Sequence, residues 1–217
     1  MVIIRTPTGA LFPRLSHRHG GACHAPARYP DFVPSVYGEL KNDGLLVGSE
    51  PLWLEFKRRG YGSFEILDAF DALRSPPIDV EGIAKRLGVD VAYACRPGWE
   101  GAVEVDETGA ATIWVNDDAI HTRQRFTIAH ELGHLMLHPM EGGAHFRDVR
   151  FGYGQPVPFR EREANAFAGS LLMPRLLMLR LIHDTEVSEL EMARMFDVSP
   201  PAMSVRISWI LEGHRDK

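Results

Sequence analysis

Cysteine is scarce in this sequence, which has only Cys23 and Cys95 among its 217 residues. The two lie far apart and form no CxxC pair, which argues against a disulfide framework and indicates a reducing compartment. An excess of positive charge is also missing, since the formal net charge is −5. The chain as a whole therefore has no electrostatic attraction for nucleic acid or for an anionic membrane.

Long hydrophobic runs are absent as well. The first residues, MVIIRTPTGALFPRL, contain no apolar core of the kind that a secretory signal needs, so we expect none. The richest apolar run, residues 171–182, is interrupted by Pro174, Arg175 and Arg180 and is too short to span a bilayer. We therefore expect a cytoplasmic protein with no membrane partner.

Composition and periodicity divide the chain into three parts. Residues 1–62 form a largely irregular N-terminal extension, with one short helix near its end. Residues 63–184 alternate helical and strand patterns, which predicts an α+β domain. Residues 185–217 are predicted to be helical and resemble a helix-turn-helix.

Two patterns in the middle part predict local structure. Residues 76–94 indicate a turn, then a helix ended by Gly88, then a strand. Residues 101–116 alternate apolar and polar residues around a polar turn, which predicts a β-hairpin. We expect its second strand, 110–116, to lie at the edge of a sheet, where it either pairs with an extended substrate or is an ordinary edge strand.

The pentapeptide HELGH, residues 130–134, places polar groups in an otherwise apolar helical pattern. Residues four apart on a helix share a face, so His130 and His134 can bind one metal ion. Glu131 points about 100° away and can act on a water bound to that ion as a general base. The alternative is a core helix whose histidines form hydrogen bonds elsewhere, but burying these groups without compensation costs several kcal/mol. Gly133, costly inside a helix, indicates close approach of another backbone or of a substrate.

A third ligand is required, because catalytic zinc sites have three protein ligands and a water. His138 lies about 12 Å along a straight helix from His130, so we interpret it as a helix C-terminal histidine facing a carbonyl or solvent. On the next helix, Glu161 and Glu163 are about 200° apart, so only one can face the metal. We favour Glu161, because Asn165 lies on the same face and can accept the free N–H of a ligating histidine; Glu163 stays the alternative.

Three segments together resemble the ImmA/IrrE family of zinc-dependent metallopeptidases: RQRFTIAHELGHLMLH, EREANAFAGSLLMP and PPIDVEGIAKRLGV. The resemblance covers residues 63–212. It implies a zincin-like core, with a small β-sheet packed on the HExxH helix. It further implies that His130, His134 and Glu161 bind Zn²⁺ and that Glu131 is the catalytic base.

The resemblance also implies a protein substrate, typically a helix-turn-helix transcriptional repressor of the XRE or cI type, whose cleavage derepresses its genes. The alternative is a zinc-stabilised interaction module of a regulatory or toxin–antitoxin pair that does not cut its partner. A pure binding module has no need of a base, so the glutamate beside the first histidine favours the enzyme.

The C-terminal helices raise the further alternative of a DNA-binding regulator. Ser188 with Glu191 predicts a capping box, and Ser199 with Pro200 predicts the start of the second helix. Residues 185–217 hold six acids against four basic residues, and the second helix offers only Arg206 as a cation. Phosphate contacts need several cations, so we expect a packing or docking unit rather than direct nucleic-acid binding.

Overall fold

The structure, a computed structural model, describes residues 3–5, 11–13, 50–95, 98–140, 145–147, 157–184 and 187–213. The chain forms two compact units, Met1–Pro34 and Ser35–Lys217. In the first, β1 (Ile3–Arg5) and β2 (Leu11–Pro13) pair in antiparallel orientation. Most of the extension predicted over residues 1–62 lies outside the described residues. The predicted boundaries after residues 62 and 184 stay predictions.

The second unit is a mixed α and β structure, which confirms the predicted α+β class. Its helices within the described residues are α1 (Leu52–Arg58), α2 (Ser63–Ala69), α3 (Val80–Arg86), α4 (His121–Leu137), α5 (Phe159–Leu172), α6 (Arg175–Asp184), α7 (Glu189–Phe196) and α8 (Pro200–Leu211). Its strands are β3 (Val89–Ala94), β4 (Gly101–Val105), β5 (Ala111–Asn116) and β6 (His145–Arg147). Gly88, with φ of 77°, separates α3 from β3 as predicted.

The four strands form one sheet in the order β3-β5-β4-β6. β3 runs parallel to β5, and β4 runs antiparallel to both β5 and β6. The predicted hairpin is confirmed as β4 and β5. The expectation that its second strand lies at an edge is wrong, because β5 lies between β3 and β4. The alternation of apolar residues in β5 shows only that one face of the strand is buried, with Ala111, Ile113 and Val115 on that face. A central strand and an edge strand can both have one buried face.

The sheet packs on α4 through its hairpin. A Cβ built on Gly101 of β4 would overlap Cγ2 of Thr127 on α4 and would lie 2.9 Å from the backbone oxygen of Trp114, so glycine permits the close approach of β4 to α4. Thr127 is itself 5% exposed, and Ile128 and Leu132 of the same helix are buried in the core. The sheet therefore supports one side of α4 along its middle turns.

Both ends of α4 are tied to other parts of the unit by hydrogen bonds between a basic side chain and backbone carbonyl oxygens. At its C-terminus, Nζ of Lys57 on α1 donates to the carbonyl oxygens of Leu135, at 2.6 Å, and His138, at 2.5 Å. Such a cation complements the negative end of the helix dipole. Near its N-terminus, Arg125 donates to the carbonyl oxygens of Ile78 and Asp197, at 2.8 and 3.0 Å. These contacts fix the position of α4 along its axis.

The C-terminal helices begin as the sequence predicts. Ser188 and Glu191 form the capping box of α7, and Ser199 caps α8 with Pro200 at its first position. Arg206 of α8 is 3% exposed, and its Nε donates to the carbonyl oxygen of Met173 at 3.0 Å. The one cation that the sequence offered for phosphate binding on this helix is therefore buried.

No single helix among the described residues is long and apolar enough to cross a bilayer. Two consecutive helices, Phe159–Leu172 and Arg175–Ile182, reach the length and apolar composition of a membrane span only when they are taken together. The chain bends by 58° between them.

Candidate metal site

Helix α4 brings two imidazole rings together on one face. His130 and His134 lie one turn apart, and their Nε2 atoms are 2.8 Å from each other. His130 is buried, with 1% of its surface exposed, and the adjacent Glu131 is 2% exposed. The i, i+4 spacing of the sequence thus produces the convergence that a shared ion requires.

Helix α5 adds a carboxylate to this pair. The Glu161 carboxylate lies 3.4 Å from the Nε2 of His130 and, through its other oxygen, 3.4 Å from the Nε2 of His134. Nitrogen and oxygen ligands of a tetrahedral zinc ion lie about 2.0–2.2 Å from it and hence about 3.3–3.5 Å from one another. The two distances to Glu161 match this spacing, and the distance between the imidazoles is shorter. We call these three residues the His-His-Glu cluster.

The predicted Asn165 also lies next to the cluster. Its Oδ1 is 3.0 Å from the Nδ1 of His130. An amide oxygen only accepts hydrogen bonds, so the Nδ1 of His130 carries the proton and its Nε2 offers a lone pair. The donor set of two imidazoles and one carboxylate is one that zinc uses in hydrolytic enzymes. The residues present therefore fit a zinc ion.

Glu163, the alternative third ligand, lies elsewhere. Its Oε2 is 3.4 Å from the Nε2 of His138, and Glu163 is not among the residues whose ligand atoms converge. The angle of about 200° between the two acids of α5 predicts that only one of them can face the histidines. In the structure that acid is Glu161.

The interpretation of His138 as facing a carbonyl or solvent is wrong. Its side chain is buried, and its Nδ1 lies 3.0 Å from the Nδ1 of His134. Burial lowers the pKa of His138, and its hydrogen bond to Glu163 opposes that shift. His138 is the C-cap of α4, and its backbone N–H still donates to the carbonyl oxygen of His134 at 3.0 Å, so its ring stays one turn from the ring of His134. The i, i+4 spacing from His134 is the signal that could have found this contact.

Gly133 permits the close approach of α5 to α4. A Cβ at this position would lie 3.1 Å from both Cα and O of Ala164 and 3.2 Å from the Cβ of Phe167. Of the two explanations that the sequence offered for this glycine, the structure shows the approach of another backbone. The same contact brings Glu161, three residues before Ala164, within reach of the histidines.

We expect Gly133→Ala to destabilise the protein, although alanine favours helices by about 1 kcal/mol. Overpacking against the backbone of Ala164 costs about 1–3 kcal/mol, so the free energy of unfolding should fall by about 1 kcal/mol. Gly169→Ala is the matched control, since nothing lies within 4 Å of a Cβ at Gly169 in α5. That variant should gain up to about 1 kcal/mol. Denaturant unfolding in the presence of a chelator measures both, and stabilisation by both variants would contradict the packing argument.

One comparison with known proteins gives a match that covers the site. Residues 84–208 match the model of a peptidase family described as the IrrE N-terminal-like domain. The matched region is more than half of the chain and contains the whole His-His-Glu cluster together with Glu131 and Asn165. A search of curated proteins finds no match to this sequence.

Proposed function

We propose that this chain, which belongs to the peptidase family described as the IrrE N-terminal-like domain, is a zinc-dependent endopeptidase. The observation that carries the proposal is the convergence of one ligand atom from each of His130, His134 and Glu161 within 4.8 Å of one another. Two imidazole lone pairs and a carboxylate facing one point repel each other unless a cation or a proton lies between them. A divalent cation satisfies all three groups at once.

The residues around the cluster suit the hydrolysis of a peptide bond. A zinc ion held here supplies Lewis acidity, which polarises a peptide carbonyl and activates water. Glu131, next to His130 on α4, accepts the proton of the attacking water and delivers it to the leaving amine. Asn165 holds the ring of His130 through its Nδ1 and so directs the Nε2 toward the ion.

The proposed substrate is a protein, namely a helix-turn-helix repressor whose cleavage derepresses its genes. The resemblance to the ImmA/IrrE metallopeptidases supports this choice, and a zincin-like core belongs to the same proposal. The burial of Arg206 supports a protein rather than DNA as partner, because it removes a cation from the surface of α8. The proposed compartment is the cytoplasm, where such repressors act.

The test is incubation of the full chain with the helix-turn-helix repressor encoded beside it, read by intact mass. With zinc we expect two fragments whose masses sum to that of the repressor plus one water. A chelator should prevent their formation, and added zinc should restore it. If the repressor stays intact but co-purifies with the chain, with or without chelator, the peptidase proposal is wrong and the chain is an interaction module.

A further inference from the structure

We propose that His138 and Glu163 are positioning residues, which form a hydrogen-bonded chain behind His134 and fix its Nε2 toward the metal. The inference rests on the proposed function, because it assigns a role relative to the zinc ion. Both residues lie outside the His-His-Glu cluster.

The distances define a chain of two hydrogen bonds. The Nδ1 of His134 is 3.0 Å from the Nδ1 of His138, and the Nε2 of His138 is 3.4 Å from Oε2 of Glu163. A carboxylate accepts, so the proton of neutral His138 lies on Nε2 and its Nδ1 carries a lone pair. That lone pair accepts the Nδ1–H of His134. His134 is then left with a lone pair on Nε2, the atom that faces Glu161.

Both histidines of the cluster donate a hydrogen bond from Nδ1, but their acceptors differ. His130 donates from Nδ1 to the neutral amide of Asn165 at 3.0 Å. His134 donates to a second imidazole, which in turn donates to a carboxylate. Each acceptor holds the donated proton on Nδ1 and so leaves the lone pair of Nε2 available to the metal. The chain through His138 and Glu163 therefore has the same role for His134 that Asn165 has for His130.

The chain also accounts for the two acids on α5. Glu161 and Glu163 point about 200° apart on the helix, so they serve different partners. Glu161 faces the Nε2 atoms of the cluster, and Glu163 faces the outer nitrogen of His138. The side chain of His138 is 8% exposed and that of Glu163 is 22% exposed, so little water competes for their contact.

The backbone of His138 is held from a further direction. Nζ of Lys57 donates to the carbonyl oxygen of His138 at 2.5 Å and to that of Leu135 at 2.6 Å. This contact fixes the residue directly after the end of α4, where a chain would otherwise fray. The ring of His138 is thus presented to His134 by α1 as well as by α4.

The test compares zinc affinity in a set of variants, measured by competition with a chromophoric chelator. His138→Leu keeps a side chain of similar size but removes the nitrogen that accepts the hydrogen bond of His134. We expect zinc affinity to fall about 10–100-fold. His138→Gln supplies a carbonyl acceptor to His134 and a donor to Glu163, so affinity should stay within about threefold of wild type. Glu163→Leu should weaken binding, and adding it to His138→Leu should have no further effect, because both variants break one chain.

A second readout does not depend on zinc. In the metal-free chain, nitrogen NMR of the imidazoles should show His134 protonated on Nδ1, and His138→Leu should shift the population toward the other tautomer. Circular dichroism and thermal unfolding in chelator show whether each variant is folded.

The positioning role of His138 and the peptidase activity can fail separately. If wild type binds zinc and His138→Leu binds it equally well, the positioning role is overturned and the peptidase proposal stands. The positioning role would also be overturned if zinc affinity were as low in His138→Gln as in His138→Leu. Loss of the imidazole ring, and not loss of a hydrogen-bond acceptor, would then explain both results. If wild type binds no zinc, both proposals fail together.

Discussion

Replacing Glu131 with glutamine is expected to reduce proteolysis by about 10²–10⁴-fold, the contribution typical of a general base. Glutamine has nearly the same shape but cannot accept a proton from water. Glu131 is 2% exposed, so an isosteric residue is needed to preserve the packing of α4. Zinc affinity should stay within a few-fold, because Glu131 is not among the converging ligands. The rate of repressor cleavage and the zinc content, measured on the same sample, check both expectations.

Glu107→Gln is the control for the loss of one negative charge, since Glu107 is exposed in the turn between β4 and β5. It should cleave at the wild-type rate. Undiminished cleavage by Glu131→Gln would remove Glu131 from the reaction. Loss of zinc together with activity in that variant would instead assign Glu131 to metal binding or folding.

Replacing Glu161 with glutamine is expected to weaken zinc binding by more than about 100-fold, beyond the range typical of residues outside the coordination shell. The substitution removes the negative charge that lies 3.4 Å from both imidazole Nε2 atoms, and a neutral amide is a poor zinc ligand. Glu163→Gln on the same helix is the comparison for the alternative third ligand, and Glu107→Gln is the control for the loss of one negative charge. Glutamine at 163 still accepts the hydrogen bond of His138, so we expect a change of no more than about threefold. Competition titration with a chelator measures all three.

The variant with the larger loss of zinc affinity identifies which acid of α5 is the ligand. A large loss in Glu163→Gln with a small one in Glu161→Gln would reverse the assignment. Equal small effects would mean that neither carboxylate binds the ion.

The sequence predicted the geometry of α4 because a helix has a fixed period. The i, i+4 spacing of His130 and His134 determines their convergence whatever surrounds the helix. Local rules also predicted the caps at Ser188 and Ser199 and the hairpin of β4 and β5, since each depends on a few neighbouring residues. Gly133 indicated a close approach because its cost inside a helix needs compensation.

The sequence could not predict features that depend on tertiary pairing. The alternation of β5 shows that one face is buried, but not that β3 pairs with its other edge, because β3 is parallel to β5 and is separated from it along the chain by β4. Likewise the buried position of His138 depends on Glu163 and on Lys57, which belong to other helices. The burial of Arg206 follows from its contact with the end of α5, which no local pattern encodes.

The packing of α1 in the core could not be predicted from the sequence either. Trp53 and Phe56 are 2% and 0% exposed and belong to the same core as Ile128 and Leu132 of α4. The short segment predicted near the end of the extension therefore contributes to the unit that carries the site. Its composition alone did not show this, because isolated aromatics are also common in irregular segments.

The central claim is that one divalent cation binds between α4 and α5, and anomalous scattering at the zinc absorption edge tests it most directly. Crystals grown with zinc should show one strong peak about 2.0–2.2 Å from the Nε2 of His130, the Nε2 of His134 and the carboxylate of Glu161. That peak should disappear in Glu161→Ala crystals. A peak bound elsewhere, for example at the exposed thiol of Cys95, or no peak between the two helices, would contradict the account.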